Sequence, residues 1–360
     1  MTEQSPGPDE APILFRRDGR AGHVVLNRPK AINALTTEMV RLMTAQLREW
    51  ATDDSVEWVV VTGAGERGLC AGGDIVALWK DAKDGGEEAQ EFWTEEYQLN
   101  ALIKEYPKPY VAIMDGIVLG GGIGISAHGD VRVVTERSRI GMPETGIGFV
   151  PDVGGTYLLG HAPGETGTHL ALTAGSVRAG DGIAIGLADH YVPSDKLEDL
   201  LSSLADTEPE QAVAAVAEDP PESPLLADRE WLDPAYAGDD AEAIVQRLRQ
   251  LGTEEATDAA DTIEAKSPTS VKVTLSALRS AARMTDLREA LRQEARMAYH
   301  CHDSHDFVEG VRAQVVDKDR DPKWSPRTLA EVSPARVEEF FAPIGEHELT
   351  FPDTPFTTKG

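Results

Sequence analysis

Two carboxylates lie eight positions apart in the run Met142-Pro143-Glu144-Thr145-Gly146-Ile147-Gly148-Phe149-Val150-Pro151-Asp152. Proline lacks a backbone N–H and glycine gains too much freedom in a helix, so Gly146, Gly148 and Pro151 exclude one regular helix across the segment. Glu144 and Asp152 therefore ride on irregular backbone, from which both can point into one cleft. Paired carboxyls can divide acid and base work when their surroundings push their pKa values apart. Taken alone, each could equally cap a helix N-terminus. Two Gly-rich loops accompany the acids: Cys70-Ala71-Gly72-Gly73-Asp74 and, about 50 residues later, Gly120-Gly121-Gly122. Glycine lets backbone N–H groups approach a ligand closely, and two converging N–H groups stabilise charge on a carbonyl oxygen. One such loop reads as a tight turn between strand and helix. Two of them, with two acids, point to chemistry at a carbonyl.

These residues need elements to hold them. ILF and HVVL within residues 12–26 read as two strands around a DGRAG turn. Leu35, Met39, Leu42, Met43, Leu47 and Trp50 recur at helical spacing, which predicts a helix from Asn33 to about Ala51. Apolar runs at Trp58–Val61, Tyr110–Met114, Val131–Thr135 and His190–Val192 predict further strands. Helix is expected over 86–105, in a short piece after the second Gly-rich loop, and over most of 165–187. Alternating strands and helices predict an α/β architecture with glycine in the connections. Residues 206–243 hold 12 acids against one base, Arg229, and five prolines. This stretch is expected to be solvated surface. Helices follow at 241–251, 269–283 and 286–300. The expected organisation is a tail at 1–11, an α/β core at 12–200, a helical region at 201–342 and a second tail at 343–360.

The chain has 360 residues, 34 basic and 62 acidic, for a net charge of -28. So negative a surface argues against nucleic acid and anionic membranes as partners. With Cys70 and Cys301 alone there is no disulfide framework and no Cys-rich metal site, so no metal is expected. The first twelve residues are acidic and Pro-rich, unlike a secretory signal, and no apolar run is long enough to span a membrane. A cytoplasmic protein is expected. GAGERG at Gly63–Gly68 matches a dinucleotide fingerprint, but more loop follows it, where a pyrophosphate needs a helix N-terminus. Gly122-x-Gly124-x-x-Ala127 is followed by a helix, but its next strand ends too early for a ribose-binding acid. His128 and Cys70 read as packed structural residues, and Lys108 as a surface cation.

The segments LNRPKAINAL (26–35), GLCAGGDI (68–75), DGIVLGGGIGIS (115–126) and MPETGIGFVPDVGGTYLL (142–159) resemble the crotonase, or enoyl-CoA hydratase/isomerase, superfamily. TEEYQLN (94–100) and HDFVEGVRAQVVDKDRDPKWSP (305–326) resemble its hydrolase branch, which cleaves 3-hydroxyacyl-CoA thioesters such as 3-hydroxyisobutyryl-CoA in valine catabolism. The resemblance covers about residues 12–342. It implies a crotonase-like spiral of repeated ββα units with a mainly helical C-terminal region that mediates self-association, as a trimer or hexamer. It implies oxyanion donors at the Gly73 and Gly121 amides, a catalytic pair at Glu144 and Asp152, and a contact from Glu96 to a substrate hydroxyl. Ala71, Asp74 and Ile75 would receive the adenine end of CoA. Arg28 and Lys30 are the candidates for its phosphates. CoA belongs to the substrate, and no separate cofactor is implied. One departure matters: hydratases of the superfamily carry a second catalytic glutamate two residues after the GGG run, and here Gly124 stands there. A general acid or base typically contributes 10²–10⁴-fold in rate. Hydrolysis through Glu144 and Asp152 is therefore favoured over enoyl-CoA hydration or isomerisation, and the retained acids argue against a non-catalytic acyl-CoA-binding protein.

Overall fold

The structure, a computed structural model, describes residues 11–352. Strands β1 (Ile13–Asp18) and β2 (Ala21–Leu26) form an antiparallel hairpin. From β2 the sheet continues in parallel through β3 (Trp58–Gly63), β4 (Tyr110–Met114), β6 (Val131–Val134) and β9 (His190–Tyr191). A second, three-stranded sheet joins β5 (Ile117–Leu119), β7 (Arg139–Gly141) and β8 (Ser176–Val177). Strand–strand–helix units recur: β1-β2 lead to helix α1 (Thr37–Thr52), and β4-β5 lead to the short helix α4 (Gly121–Gly124). Parallel strands buried on both faces must be apolar throughout, which explains the unbroken Val59–Val61 and Tyr110–Met114 runs. One face packs on α1, α3 (Glu88–Lys104) and the C-terminal helices. The other carries a smaller cluster of Trp58, Val60, Val111 and Val133 with Leu200, Leu204 and Val213.

Helix α1 begins at Thr37 rather than Asn33. Thr36 caps it, its Oγ1 accepting from Met39 N–H at 3.3 Å. Ile32 and Asn33 precede the cap in left-handed backbone. Lys108, expected at the surface, is half-buried and donates to the carbonyls of Trp50, Asp53 and Val56 at 2.5–2.7 Å. It closes the C-terminus of α1, where free carbonyls and the helix dipole favour a cation. Helix α2 (Ile75–Asp84) was not legible in the sequence, because the glycines just before it mask its start.

Beyond residue 200 the described chain is helical, and it is folded through the acidic stretch as well. Pro209 and Pro224 start short helices there, and Leu232, Ala235 and Tyr236 are buried. The expected N-terminal tail lies outside the described residues except for Ala11, whose carbonyl accepts from Asn27 Nδ2 at 2.9 Å. Of the expected C-terminal tail, residues 343–352 pack on the body: Leu349 is buried, and the Arg288 and Arg292 guanidinium groups lie 5.1 Å from the Phe351 ring centre. Residues 353–360 lie outside the described residues. No helix among the described residues is long and apolar enough to cross a membrane.

Candidate active site

The first Gly-rich loop is pinned from behind by Asn33. Its Nδ2 donates to the carbonyls of Ala64 and Gly68, both at 3.1 Å, and its Oδ1 accepts from Arg28 N–H at 3.0 Å. The loop pairs with its neighbours through single bridges, Leu35 to Gly73 and Cys70 to Val118. The second bridge draws the two Gly-rich loops together. A side-chain carbon on Gly72 would sit 3.6 Å from the Gly121 nitrogen, so the loops touch. Ala71 N–H and Asp74 N–H are used internally, on the carbonyls of Ile32 and Leu35. The N–H groups of Gly73 and Gly121 bond no acceptor among the described residues. Each is a donor held ready beside the same space.

That space is a cavity of about 190 Å³ lined by Ala71, Gly72, Gly73, Gly120 and Gly121 from the loops. Glu96, Phe92 and Trp93 of α3, then Glu144, Phe149 and Asp152, complete much of the wall. Trp93 and Phe149 stack with ring centres 5.2 Å apart and give the acids an apolar surround. The structure thus brings together Glu144, Asp152, Glu96, Gly73, Gly121, Ala71 and Ile75. Arg28, Lys30 and Asp74 do not line the cavity. Arg28 was a candidate for phosphate contact, but its guanidinium is paired with Asp74 at 2.9 Å and donates to Ala34 O at 2.5 Å. The pair stays part-exposed, 27% and 30% by side chain, outside the cavity wall. Lys30 is exposed, and its ammonium bonds nothing among the described residues.

Glu144 opens a 3-10 turn, Glu144–Ile147, and Asp152 follows five residues after that turn ends. Glu96, Glu144 and Asp152 are 2%, 6% and 5% exposed. Burial, with the Asp152 carboxyl close by, holds the Glu96 and Glu144 carboxyls well above the usual range. Burial likewise pushes Asp152 up to about 7, although the Tyr97 hydroxyl donates to its Oδ2 at 2.8 Å and opposes the rise. Glu96 Oε1 and Glu144 Oε2 are buried with no hydrogen-bond partner. Buried carboxyl oxygens are costly to leave unmatched, and an unmatched pair aimed into one cavity marks a place built for a polar ligand. The fit is tight: side-chain carbons on Gly120 and Gly121 would meet Glu144 Oε1 and Glu96 Oε1.

His128 and Cys70 are structural. His128 is buried, its Nε2 lies 2.8 Å from Val153 O, and burial lowers it to about 4, so it is neutral. Cys70 is fully buried and its thiol is pushed up to about 12, far from a thiolate nucleophile. Cys301 is likewise buried and free. Gly124 is walled in: a side-chain carbon there would lie 2.7 Å from both Asn100 Nδ2 and Val153 Cβ.

Tyr97, Asn100 and Glu294 were missed by the sequence reading. A signal for each existed. Helix α3 buries the stripe Ala89, Phe92, Trp93, Glu96, Tyr97, Asn100 and Ile103, so an acid and an amide sit on its apolar face. The helix Leu287–His302 likewise buries Leu287, Leu291, Glu294, Met297 and Cys301. A charged residue on an apolar stripe is the informative exception to burial.

Comparison with known proteins fits this fold. The model of the enoyl-CoA hydratase/isomerase family matches residues 21–341. A Danio rerio protein named 3-hydroxyisobutyryl-CoA hydrolase, mitochondrial, is 42% identical over 349 residues, covering 94% of this chain and 91% of its own. Its Homo sapiens namesake is 38% identical over 364 residues, covering 98% and 93%. Among solved structures, one described as a carnitinyl-CoA dehydratase from Mycobacterium thermoresistibile is 51% identical. Its TM-score is 0.92, with 95% of this chain and 99% of that chain covered. One described as an enoyl-CoA hydratase from Rhodobacter sphaeroides is 40% identical, with a TM-score of 0.90 and coverage of 95% and 100%.

Proposed function

The chain belongs to the enoyl-CoA hydratase/isomerase family, and from that premise we propose that it is an acyl-CoA thioester hydrolase acting on a short 3-hydroxyacyl-CoA, 3-hydroxyisobutyryl-CoA above all. The curated relatives carry that activity in their names. The observation that carries the proposal is local: two unbonded amides and three buried carboxyls share one cavity, while the position of the second hydratase glutamate is a walled-in glycine.

The thioester carbonyl would rest between the Gly73 and Gly121 N–H groups. Attack on its carbon moves charge onto that oxygen, and each such donor is worth about 3–4 kcal/mol in the transition state. Glu144 acts as the carboxylate, which its raised pKa makes the stronger base, and either attacks to form a mixed anhydride or takes a proton from the attacking water. Asp152, at about 7, can orient or deprotonate water and return a proton to the leaving thiolate. Water is consumed, the C–S bond breaks, and the free acid and CoA leave. The unpartnered Glu96 Oε1 is the acceptor proposed for the 3-hydroxyl, and a site built for a hydroxyl rejects acyl groups that lack it. Lys30 remains the phosphate candidate, and Ala71 and Ile75 the contacts along CoA. No step uses a metal or a cofactor. A place in valine breakdown follows from the substrate. A reducing compartment, the cytoplasm in particular, suits two free buried thiols; the mitochondrial setting in the relatives' names belongs to those proteins. Self-association as a trimer or hexamer rests on the family resemblance, and light scattering tests it.

The deciding experiment titrates free thiol from 3-hydroxyisobutyryl-CoA, with crotonyl-CoA in parallel and Glu144→Gln as the control. CoA release that Glu144→Gln abolishes is the expected result. Consumption of crotonyl-CoA without CoA release would return the protein to hydration.

A further inference from the structure

Asp152 is mounted on unusual backbone. The next residue, Val153, has φ 52° and Gly154 has φ 81°. A β-branched residue in the left-handed region is strained and persists only where its surroundings enforce it. Here two groups enforce it. His128 holds Val153 O from one side. From the other side, Glu294 of the helix Leu287–His302 accepts three hydrogen bonds: Gly154 N–H at 2.7 Å, Thr156 N–H at 2.9 Å and the Thr156 hydroxyl at 2.5 Å. Glu294 is fully buried. Gly154 has no room for a side chain, since a carbon there would lie 2.5 Å from the His128 ring and 2.8 Å from Leu287. Burial pushes the Glu294 carboxyl up to about 8 against the pull of its three donors. A buried carboxyl is an expensive way to satisfy two amides and a hydroxyl if stability is the only return.

We propose that Glu294 is a positioning residue for Asp152: from the C-terminal helical region it clamps the left-handed Val153–Gly154 turn and so fixes where the Asp152 carboxyl points. The role rests on the assignment of Asp152 made above. It makes the C-terminal region a working part of the site rather than a cover. The titratable groups that feel the Glu294 charge are Asp152, Glu144 and Tyr97, and His128 packs on the same turn at Gly154.

The test is Glu294→Gln in the full chain, with Thr156→Val as a second variant that removes one donor and keeps the shape. An amide offers one acceptor oxygen and turns its NH2 toward an N–H donor. In Glu294→Gln, kcat for CoA release should fall about 10²-fold, the cost of a misplacement near 1 Å, while KM changes less than about 3-fold. Amide exchange at Gly154 and Thr156 should quicken at least about 10-fold, with Val60 and Val111 still protected. Adding Val153→Gly, which takes the left-handed turn without strain, should restore part of kcat. Should Glu294→Gln fail to fold, Thr156→Val carries the same kcat and exchange measurements. Unchanged exchange at Gly154 and Thr156 overturns the proposal, as does a rise in KM at constant kcat. If the wild type releases no CoA, the thioesterase assignment fails by itself, and the exchange measurement still decides whether Glu294 holds the turn.

Discussion

Replacing Asp152 by asparagine should make the protein more stable and nearly inactive. Asp152 is buried, and its carboxyl is raised from 3.8 to about 7. A folded pKa above the unfolded one means that the folded state holds its proton longer as pH rises. The carboxyl is then neutral weight below the unfolded pKa, and it costs stability increasingly as pH climbs toward the folded one. Spread over 3.8 to about 7, at about 1.36 kcal/mol per pH unit, the cost reaches about 4 kcal/mol by pH 8 and is about 1 kcal/mol at pH 4.5. Asp152→Asn keeps the volume and keeps an acceptor for the Tyr97 hydroxyl, but removes the charge. Unfolding entropy of about 2.1 cal/mol/K per residue over 360 residues converts 4 kcal/mol into about 5 °C. Calorimetry of wild type and variant at pH 4.5, 6 and 8 should show melting temperatures close together in acid and parting by about 5 °C at pH 8, the variant higher. CoA release should fall by about 10²–10⁴-fold in the same protein. Melting temperatures that stay together across the range, or a variant that melts lower at pH 8, would refute the assignment of a costly buried charge.

Three further outcomes are expected. Tyr97→Phe removes the 2.8 Å hydrogen bond that lowers Asp152, so the acid limb of kcat/KM should move to higher pH, by about one unit for a bond to a charged group worth roughly 1.5 kcal/mol; a limb that stays or moves down counts against it. Glu96→Ala should lower the preference for 3-hydroxyisobutyryl-CoA over isobutyryl-CoA by at least about 10²-fold, and an unchanged ratio removes Glu96 from hydroxyl recognition. Gly124→Glu should not gain crotonyl-CoA hydration and should melt lower, since overpacking against Asn100 and Val153 costs about 1–3 kcal/mol; a stable variant that hydrates crotonyl-CoA would overturn the account of that position.

What could be read in the sequence follows from which forces are local. Strand β4 is legible to the residue because a strand buried on both faces is an unbroken apolar run, and the helix Ala241–Leu251 because one buried face writes a period into the chain. The short strands β5, β7 and β8 left no such mark: two or three residues carry no period, and their pairing is fixed by distant partners. Glu144, Asp152 and the two Gly-rich loops are legible as residue types at a spacing, Gly73 and Gly121 within those loops are singled out only by the family resemblance, and the structure lines one cavity with all four residues. Arg28 looked free because its partner, Asp74, is 46 positions away. Glu294 was hidden for the same reason, lying 140 positions from the Gly154 amide it holds. Contacts of that range become visible only when the chain has folded.

Names alone leave hydration and hydrolysis in competition, since the curated relatives are named hydrolases while the two well-matched solved structures are described as a dehydratase and a hydratase. Packing separates the two. The hydratases this chain resembles carry their second glutamate at the α4 position held here by Gly124. Here a side-chain carbon on that glycine would lie 2.7 Å from Asn100 Nδ2 and from Val153 Cβ, so a side chain there must displace one or both. The space that a second glutamate would take is occupied by the support of a different acid. Asp152 lines the cavity just before a left-handed turn, Val153–Gly154, that His128 and Glu294 hold. A side chain at 124 would have to displace Asn100 or Val153, the neighbour of Asp152, so the packing at 124 and the turn at 153 are tied to each other.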